Sequence, residues 1–175
     1  VQLVVNEPVH IAQWGTSVTT PKVGKDSASV RVETTVENHT AAAIEPEVEI
    51  TLLDPQGKEV ARLRTSFQVP ANGSQPGVAT ITLDKPQLWD IDTPRLYTAV
   101  TRVFVGGKLV DATETPFGIR TFEFTANDGF HLNGRRVQLK GVCLHSDLGP
   151  LGMAFNTRAM ERELQIMQDM GVNAI

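Results

Sequence analysis

Between Val1 and about Phe117 the apolar residues recur at every second position, the spacing that sends alternate side chains to one face of a half-buried strand. Ala28, Val30, Val32 and Val36 alternate with Ser29, Arg31, Glu33, Thr35 and Glu37. Val48, Ile50 and Leu52 repeat the pattern against Glu47, Glu49 and Thr51, and Ala61, Leu63, Phe67 and Val69 repeat it against Arg62, Arg64 and Gln68. Each run therefore predicts a strand with one wet face.

Turn chemistry separates the runs. Asp54-Pro55-Gln56-Gly57 places proline where a type I turn wants a fixed φ, Ala71-Asn72-Gly73-Ser74 is a second turn cluster, and Gly106-Gly107 reads as a two-residue hairpin between strands. About seven short strands with no helix among them predict an antiparallel β-sandwich of immunoglobulin-like type, without the Cys…Trp…Cys signature of antibody domains. Tyr97 opens one strand and reads either as a corner tyrosine whose hydroxyl ties the sandwich or as a plain core aromatic.

After Gly118 the pattern changes. Asn133-Gly134 predicts a type I′ hairpin turn, followed by an apolar strand over 137–142 and a loop that carries His145. Met160, Leu164 and Met167 then fall on one face of a helix predicted over 157–170, with Gly171 placed to end it, and a strand is predicted from Val172 to Ile175. Strand, loop, helix and strand make one βαβ unit of a parallel fold, and one such unit cannot bury both faces of its sheet. Its helix is expected to keep part of its apolar stripe uncovered, to swap, or to dock on the sandwich. The chain opens on Val1 and closes within this last strand, so both ends read as cut.

Composition adds exclusions. The chain has 175 residues, 41% hydrophobic and 21% charged, enough for one domain with a real core but not for a second large one. A net charge of -4 and the lack of a basic cluster with interleaved aromatics argue against a nucleic-acid partner. No apolar run reaches the roughly 20 residues that span a bilayer, and the N-terminus lacks a secretion signal, so no membrane partner is expected. The single cysteine, Cys143, excludes an internal disulfide and multi-cysteine zinc sites, and leaves the compartment open. As a strand-end residue it is expected to be inert packing. Asn38-His39-Thr40 and Asn72-Gly73-Ser74 match the glycosylation acceptor pattern but read more simply as turns.

Several short motifs, in order, carry a resemblance: Leu88-Trp89, Pro94-Arg95-Leu96-Tyr97, Gly118-Ile119-Arg120, Leu132-Asn133-Gly134-Arg135, and Lys140-Gly141-Val142 ahead of His145. Over almost its whole length the chain resembles glycoside hydrolase family 2, and within it the β-galactosidases. The resemblance implies a parent enzyme in which a jelly-roll domain, an immunoglobulin-like sandwich and a catalytic (β/α)8 barrel follow one another. It places the sandwich at 1–118, a linker and hairpin at 119–136, and the truncated start of the barrel at 137–175.

Active sites of such barrels lie at the C-terminal ends of the strands, and His145 follows the first strand by a few residues. The resemblance implies that His145 hydrogen-bonds a sugar hydroxyl in the complete barrel; the other reading is a loop histidine in solvent. Retaining glycosidases use two carboxylates about 5 to 5.5 Å apart. The resemblance takes both from later barrel strands, so none of Asp147, Glu161, Glu163 and Asp169 is assigned catalysis and the segment alone is expected to be inactive. It also places the family's magnesium ligands elsewhere; no metal or other cofactor is assigned, and the sequence shows no close cluster of histidines and carboxylates.

The implied partners are a carbohydrate substrate of the parent enzyme and its own jelly-roll and barrel domains, with a homo-oligomer compatible. The family often has asparagine at the position of Cys143 and a more polar loop after His145, which bears on the substrate more than the fold. β-Glucuronidase and β-mannosidase share the layout. A stand-alone fibronectin-like glycan-binding or adhesion module is the competing class, but such a module ends near Thr125 and has no use for 137–175.

Overall fold

The computed structural model describes residues 3–145 and 147–175. They form two compact units, Val1–Thr121 and Phe122–Ile175.

The first unit is the expected immunoglobulin-like sandwich. Its strands are β1 (Val9–Val23), β2 (Ser27–Asn38), β3 (Glu47–Leu53), β4 (Glu59–Ser66), β5 (Gly73–Asp84), β6 (Tyr97–Val105) and β7 (Lys108–Phe117). One antiparallel sheet has the order β1-β2-β5 and the other β4-β3-β6-β7. The register sets the core: Val30, Val32 and Val36 on β2 and Ala79, Ile81 and Leu83 on β5 face Val48, Ile50 and Leu52 on β3 and Ala99 and Val103 on β6, all buried. Gly106 and Gly107 both have positive φ, +57° and +80°, as a two-residue type I′ hairpin requires. β4 departs from expectation. It is an edge strand, so Ala61 is only half-buried and Leu63 is exposed, while Val69 lies beyond it and is buried through a bridge to Ile44.

The outer face of the four-stranded sheet is a charge ladder centred on Glu49, which stands opposite Arg64 on β4 and Arg102 on β6. Its side chain is 4% exposed because arginines cover it: Arg64 at 2.7 Å, Arg102 at 3.3 Å and Arg62 at 3.6 Å. Burial alone pushes the carboxyl up, but the hydrogen bond and charge of Arg64, followed by the charges of Arg62 and Arg102, outweigh it and hold the group below its ordinary value. With a depressed folded value, the carboxylate's contribution to stability is full above the ordinary value of 4.5 and is lost as pH falls through the folded value beneath it. The arginines are partly solvated, so Glu49→Gln is expected to cost only about 1 kcal/mol at pH 7. Urea titrations of both proteins should show that gap closing as pH falls below the ordinary carboxyl value of 4.5; a gap constant with pH would remove the carboxylate charge as its cause.

In the second unit β8 (Phe122–Thr125), β9 (Gly129–Leu132) and β10 (Arg135–Arg136) form a small antiparallel sheet in that order. β8 was not anticipated: Phe122 and Phe124 alternate with Glu123 and Thr125, but over only four residues, and all four are exposed. The β9–β10 turn is the expected Asn133-Gly134, with φ of 51° and 75°.

The strands expected at 137–142 and 172–175 do not form as ladders. A single parallel bridge joins Gly141 to Ala174, and the neighbouring backbone is held by a side chain instead. Asn173 Oδ1 accepts from the Lys140 N–H at 2.7 Å and Asn173 Nδ2 donates to the Gln138 carbonyl at 3.0 Å. The parallel sense is that of a βαβ unit.

Between the bridged segments runs α1 (Thr157–Asp169). Asn156 caps it by accepting from the Ala159 N–H at 3.0 Å. At the other end Gly171, at φ +86°, closes a Schellman motif in which Val172 N–H reaches the Met167 carbonyl and Gly171 N–H the Gln168 carbonyl. No residue of α1 is buried, and Leu164 and Ile166 on it are exposed, the incomplete cover expected of a lone βαβ unit. No helix of the described residues is long and apolar enough to cross a membrane.

Candidate functional site

His145 lies in the irregular loop that follows the Gly141 bridge and is exposed. Its carbonyl accepts from the Asp147 N–H at 2.8 Å, and Asp147 Oδ1 in turn accepts from the Gly149 N–H at 2.9 Å, opening a 3-10 turn over Gly149–Leu151. The loop therefore presents the imidazole outward at the C-terminal end of the first bridged segment. Cys143 is also exposed, which corrects the expectation of inert packing: without a formed ladder over 137–142 its side chain has no sheet face to pack into. Asp147 is spent on the turn and Glu161 on an ion pair with Arg158 at 2.6 Å, while Asp169 is exposed and Glu163 half-buried on the helix.

Upstream, the fold joins motifs that are far apart in sequence. Trp89 N–H donates to the Ile119 carbonyl at 2.9 Å, and the Arg120 guanidinium lies 4.8 Å from the centre of the Trp89 ring. A Cβ on Gly118 would stand 2.9 Å from Trp89 Cβ, so glycine there is what lets the indole approach. Beside them Tyr97 is buried, packs against Phe117 at 5.7 Å between ring centres, and its hydroxyl accepts from the Gln87 N–H at 2.9 Å. Of the two readings of Tyr97, the corner tyrosine holds. Leu88-Trp89, Tyr97 and Gly118-Ile119-Arg120 are thus one assembly that fixes where the chain leaves β7.

One constellation escaped the sequence reading. His10, Glu37 and His39 place one ligand-type atom each within 4.8 Å of one another. Glu37 and His39 are two apart and so share a face, which was legible. His10 joins them only through the β1–β2 register, which sets it opposite Glu37.

Two successive parts of the chain match family models: the one described as glycosyl hydrolases family 2 over residues 9–120, and the one described as glycosyl hydrolases family 2, TIM barrel domain, over residues 124–175. The chain is 46% identical over 168 residues to the β-galactosidase BoGH2A of Bacteroides ovatus, covering 96% of this chain and 20% of that protein. A solved glycosyl hydrolase family 2 member from Bacteroides cellulosilyticus is 34% identical with a TM-score of 0.90, over 96% of this chain and 22% of that one. Bacteroides uniformis β-glucuronidase 2, solved covalently bound to cyclophellitol-6-carboxylate aziridine, is 27% identical with a TM-score of 0.87, over 96% and 21%. The chain spans about a fifth of the length of these relatives. With its sandwich and its barrel-type segment both matched in order, the chain belongs to glycosyl hydrolase family 2.

Proposed function

We propose that the chain is the linking sandwich and barrel entry of a β-galactosidase-like retaining glycoside hydrolase, with the sandwich at 1–118, a linker and hairpin at 119–136 and the start of the (β/α)8 barrel at 137–175. The observation that carries this reading is the parallel Gly141–Ala174 bridge, with α1 between its two residues, in the same chain as the sandwich. A recognition module has no use for that unit. The sandwich is then structural, in service of hydrolysis of terminal β-glycosides, and its partners are the jelly-roll and barrel domains of the same polypeptide. Chemistry comes from two carboxylates on later barrel strands, one nucleophile and one general acid and base.

His145 donates a hydrogen bond to a sugar hydroxyl once the barrel is complete. Its exposure at the C-terminal end of the first bridged segment supports this role. A second reading, β-glucuronidase, draws on the likeness to the Bacteroides uniformis enzyme. The two differ in the sugar, not in the role of this segment.

Aryl β-galactoside, β-glucuronide and β-mannoside hydrolysis by a polypeptide carrying this segment with a complete barrel, beside the segment alone, tests the proposal. The longer polypeptide should cleave one class and the segment none. His145→Ala in the longer polypeptide should lower kcat by at least about tenfold, the loss of one transition-state hydrogen bond. Glycan binding by the segment alone, with no hydrolysis by the longer polypeptide, would replace this reading with a recognition module.

A further inference from the structure

His10 and His39 flank a single carboxylate at one end of the β1–β2 pair. The register sets His10 opposite Glu37, and His39 follows Glu37 by two positions, so all three side chains leave the sheet on one side. Glu37 Oε2 is 3.5 Å from His10 Nε2 and 3.1 Å from His39 Nε2, and the two imidazoles stack with ring centres 5.4 Å apart and planes 13° from parallel. The backbone beneath is pinned, since His39 N–H donates to the Pro8 carbonyl at 2.8 Å.

The hydrogen bonds fix which nitrogen is available. His10 Nδ1 lies 2.9 Å from the Glu7 carbonyl, which can only accept, so Nδ1 carries a proton and in the neutral ring Nε2 presents its lone pair to the cluster. A backbone carbonyl on the far nitrogen is the usual support of a metal-binding histidine. The spacing fits as well. A tetrahedral zinc with bonds of about 2.0–2.1 Å holds its ligand atoms roughly 3.3 Å apart. The two nitrogen-to-carboxylate separations, 3.5 and 3.1 Å, bracket that edge. The third edge, within 4.8 Å, closes by rotation of His39, whose side chain is 63% exposed and whose ring contacts are with the other two members of the cluster.

Charge favours a cation. His10 and Glu37 line an open cleft that also holds Asp111, whose carboxylate is fixed by the Ile11 N–H at 2.8 Å. Two imidazole nitrogens with one carboxylate, and a second carboxylate in the same cleft as His10 and Glu37, make a donor set that suits a divalent ion. We propose that His10 Nε2, His39 Nε2 and the Glu37 carboxylate form a zinc site with one coordination position open to solvent. Binding moves the proton that His39 Nε2 shares with Glu37 to His39 Nδ1, and ties the start of β1 to the end of β2.

Zn2+ titration of the 175-residue chain against a chromophoric chelator, with Co2+ absorption as the geometric probe, tests this. One zinc per chain is expected, with a tetrahedral Co2+ spectrum lacking a thiolate band. At a hundredfold excess over Kd, melting should rise by about 5 °C. His39→Ala, at an exposed position, should leave metal-free melting unchanged and weaken zinc about 100-fold, and Glu37→Gln should do the same. Cys143→Ser and His145→Ala should change nothing. Absence of binding at submillimolar Zn2+, binding that survives both His39→Ala and Glu37→Gln, or binding lost in Cys143→Ser would each overturn the site.

Discussion

Asn38→Asp is expected to lower the stability of the sandwich by about 4 kcal/mol at pH 7, the largest effect of any single substitution considered for this fold. Asn38 is completely buried, and its amide is saturated. Nδ2 donates to the Ala42 carbonyl at 2.9 Å and to the Pro70 carbonyl at 3.0 Å, while Oδ1 accepts from the Thr40 N–H at 3.0 Å and the Thr40 hydroxyl at 2.7 Å. Two donors and two acceptors are all the amide offers. Aspartate keeps the accepting side and turns the donating side into an oxygen that faces two carbonyls. A buried carboxylate so placed is disfavoured in its charged form, so its folded pKa is raised above the unfolded value. The deficit is therefore full at neutral pH and shrinks as pH falls through that raised value, the opposite sense to Glu49. Urea titrations at pH 7 and pH 4.5 would show the gap to the parent narrowing on acidification. A gap of under about 1 kcal/mol at pH 7 would mean that the amide contributes little to the fold.

The same residue shows why the acceptor pattern Asn38-His39-Thr40 is a turn rather than a modification site. Its hydroxyl and amide bond each other, and the amide reaches across to Pro70, beside the second such triplet, where Asn72 N–H donates to the Thr40 carbonyl at 3.0 Å. The local preference of asparagine for turns was readable from sequence; the pairing of the two turns was not, because it is set by the β2–β5 register, which puts Asn38 opposite Gly73. The same division runs through the molecule. Period-two runs in β2 and β3, with the turn clusters between strands, carried the sandwich, because both strands have a core face. β4 alternates as a core strand would but lies at the sheet edge, so its pattern overstated its burial, and β8 alternates over only four residues, too few to stand out.

The segment over 137–142 failed in the opposite direction. Its apolar run has the composition of a parallel-sheet strand, yet a ladder needs a partner along its length, and here Asn173 and the Ala174 bridge supply only local bonds. For the candidate site, His145 was found through a resemblance and a position, and its exposure is consistent with the role proposed for it. The His10, Glu37 and His39 cluster needed a pairing between residues 27 positions apart, taking His10 against Glu37, which no spacing rule supplies.

Gly118→Ala should cost about 2 kcal/mol, and the cost should depend on Trp89. The added Cβ would lie 2.9 Å from both Cβ and Cγ of Trp89 and 3.1 Å from its Cδ1, well inside the roughly 3.5–4.0 Å of a comfortable carbon contact. Relief is difficult because the clash is at the root of the side chain. Swinging the ring leaves Cβ in place, and moving the backbone stretches the 2.9 Å hydrogen bond from Trp89 N–H to the Ile119 carbonyl. Ile119 is fully buried, so it cannot follow without opening the core. The strain therefore falls on the point where the chain leaves the sandwich. Trp89→Gly removes the obstructing Cβ and ring together, so Gly118→Ala in that background should cost markedly less than in the parent. Fluorescence gives a second readout: of the two tryptophans Trp14 is 92% exposed, and in a Trp14→Phe background the remaining emission reports Trp89. A red shift on Gly118→Ala together with a non-additive cycle would establish the Trp89–Gly118 contact as the clamp on the sandwich exit. Additive costs with unchanged emission would show that the exit is held by Ile119 and Tyr97 alone.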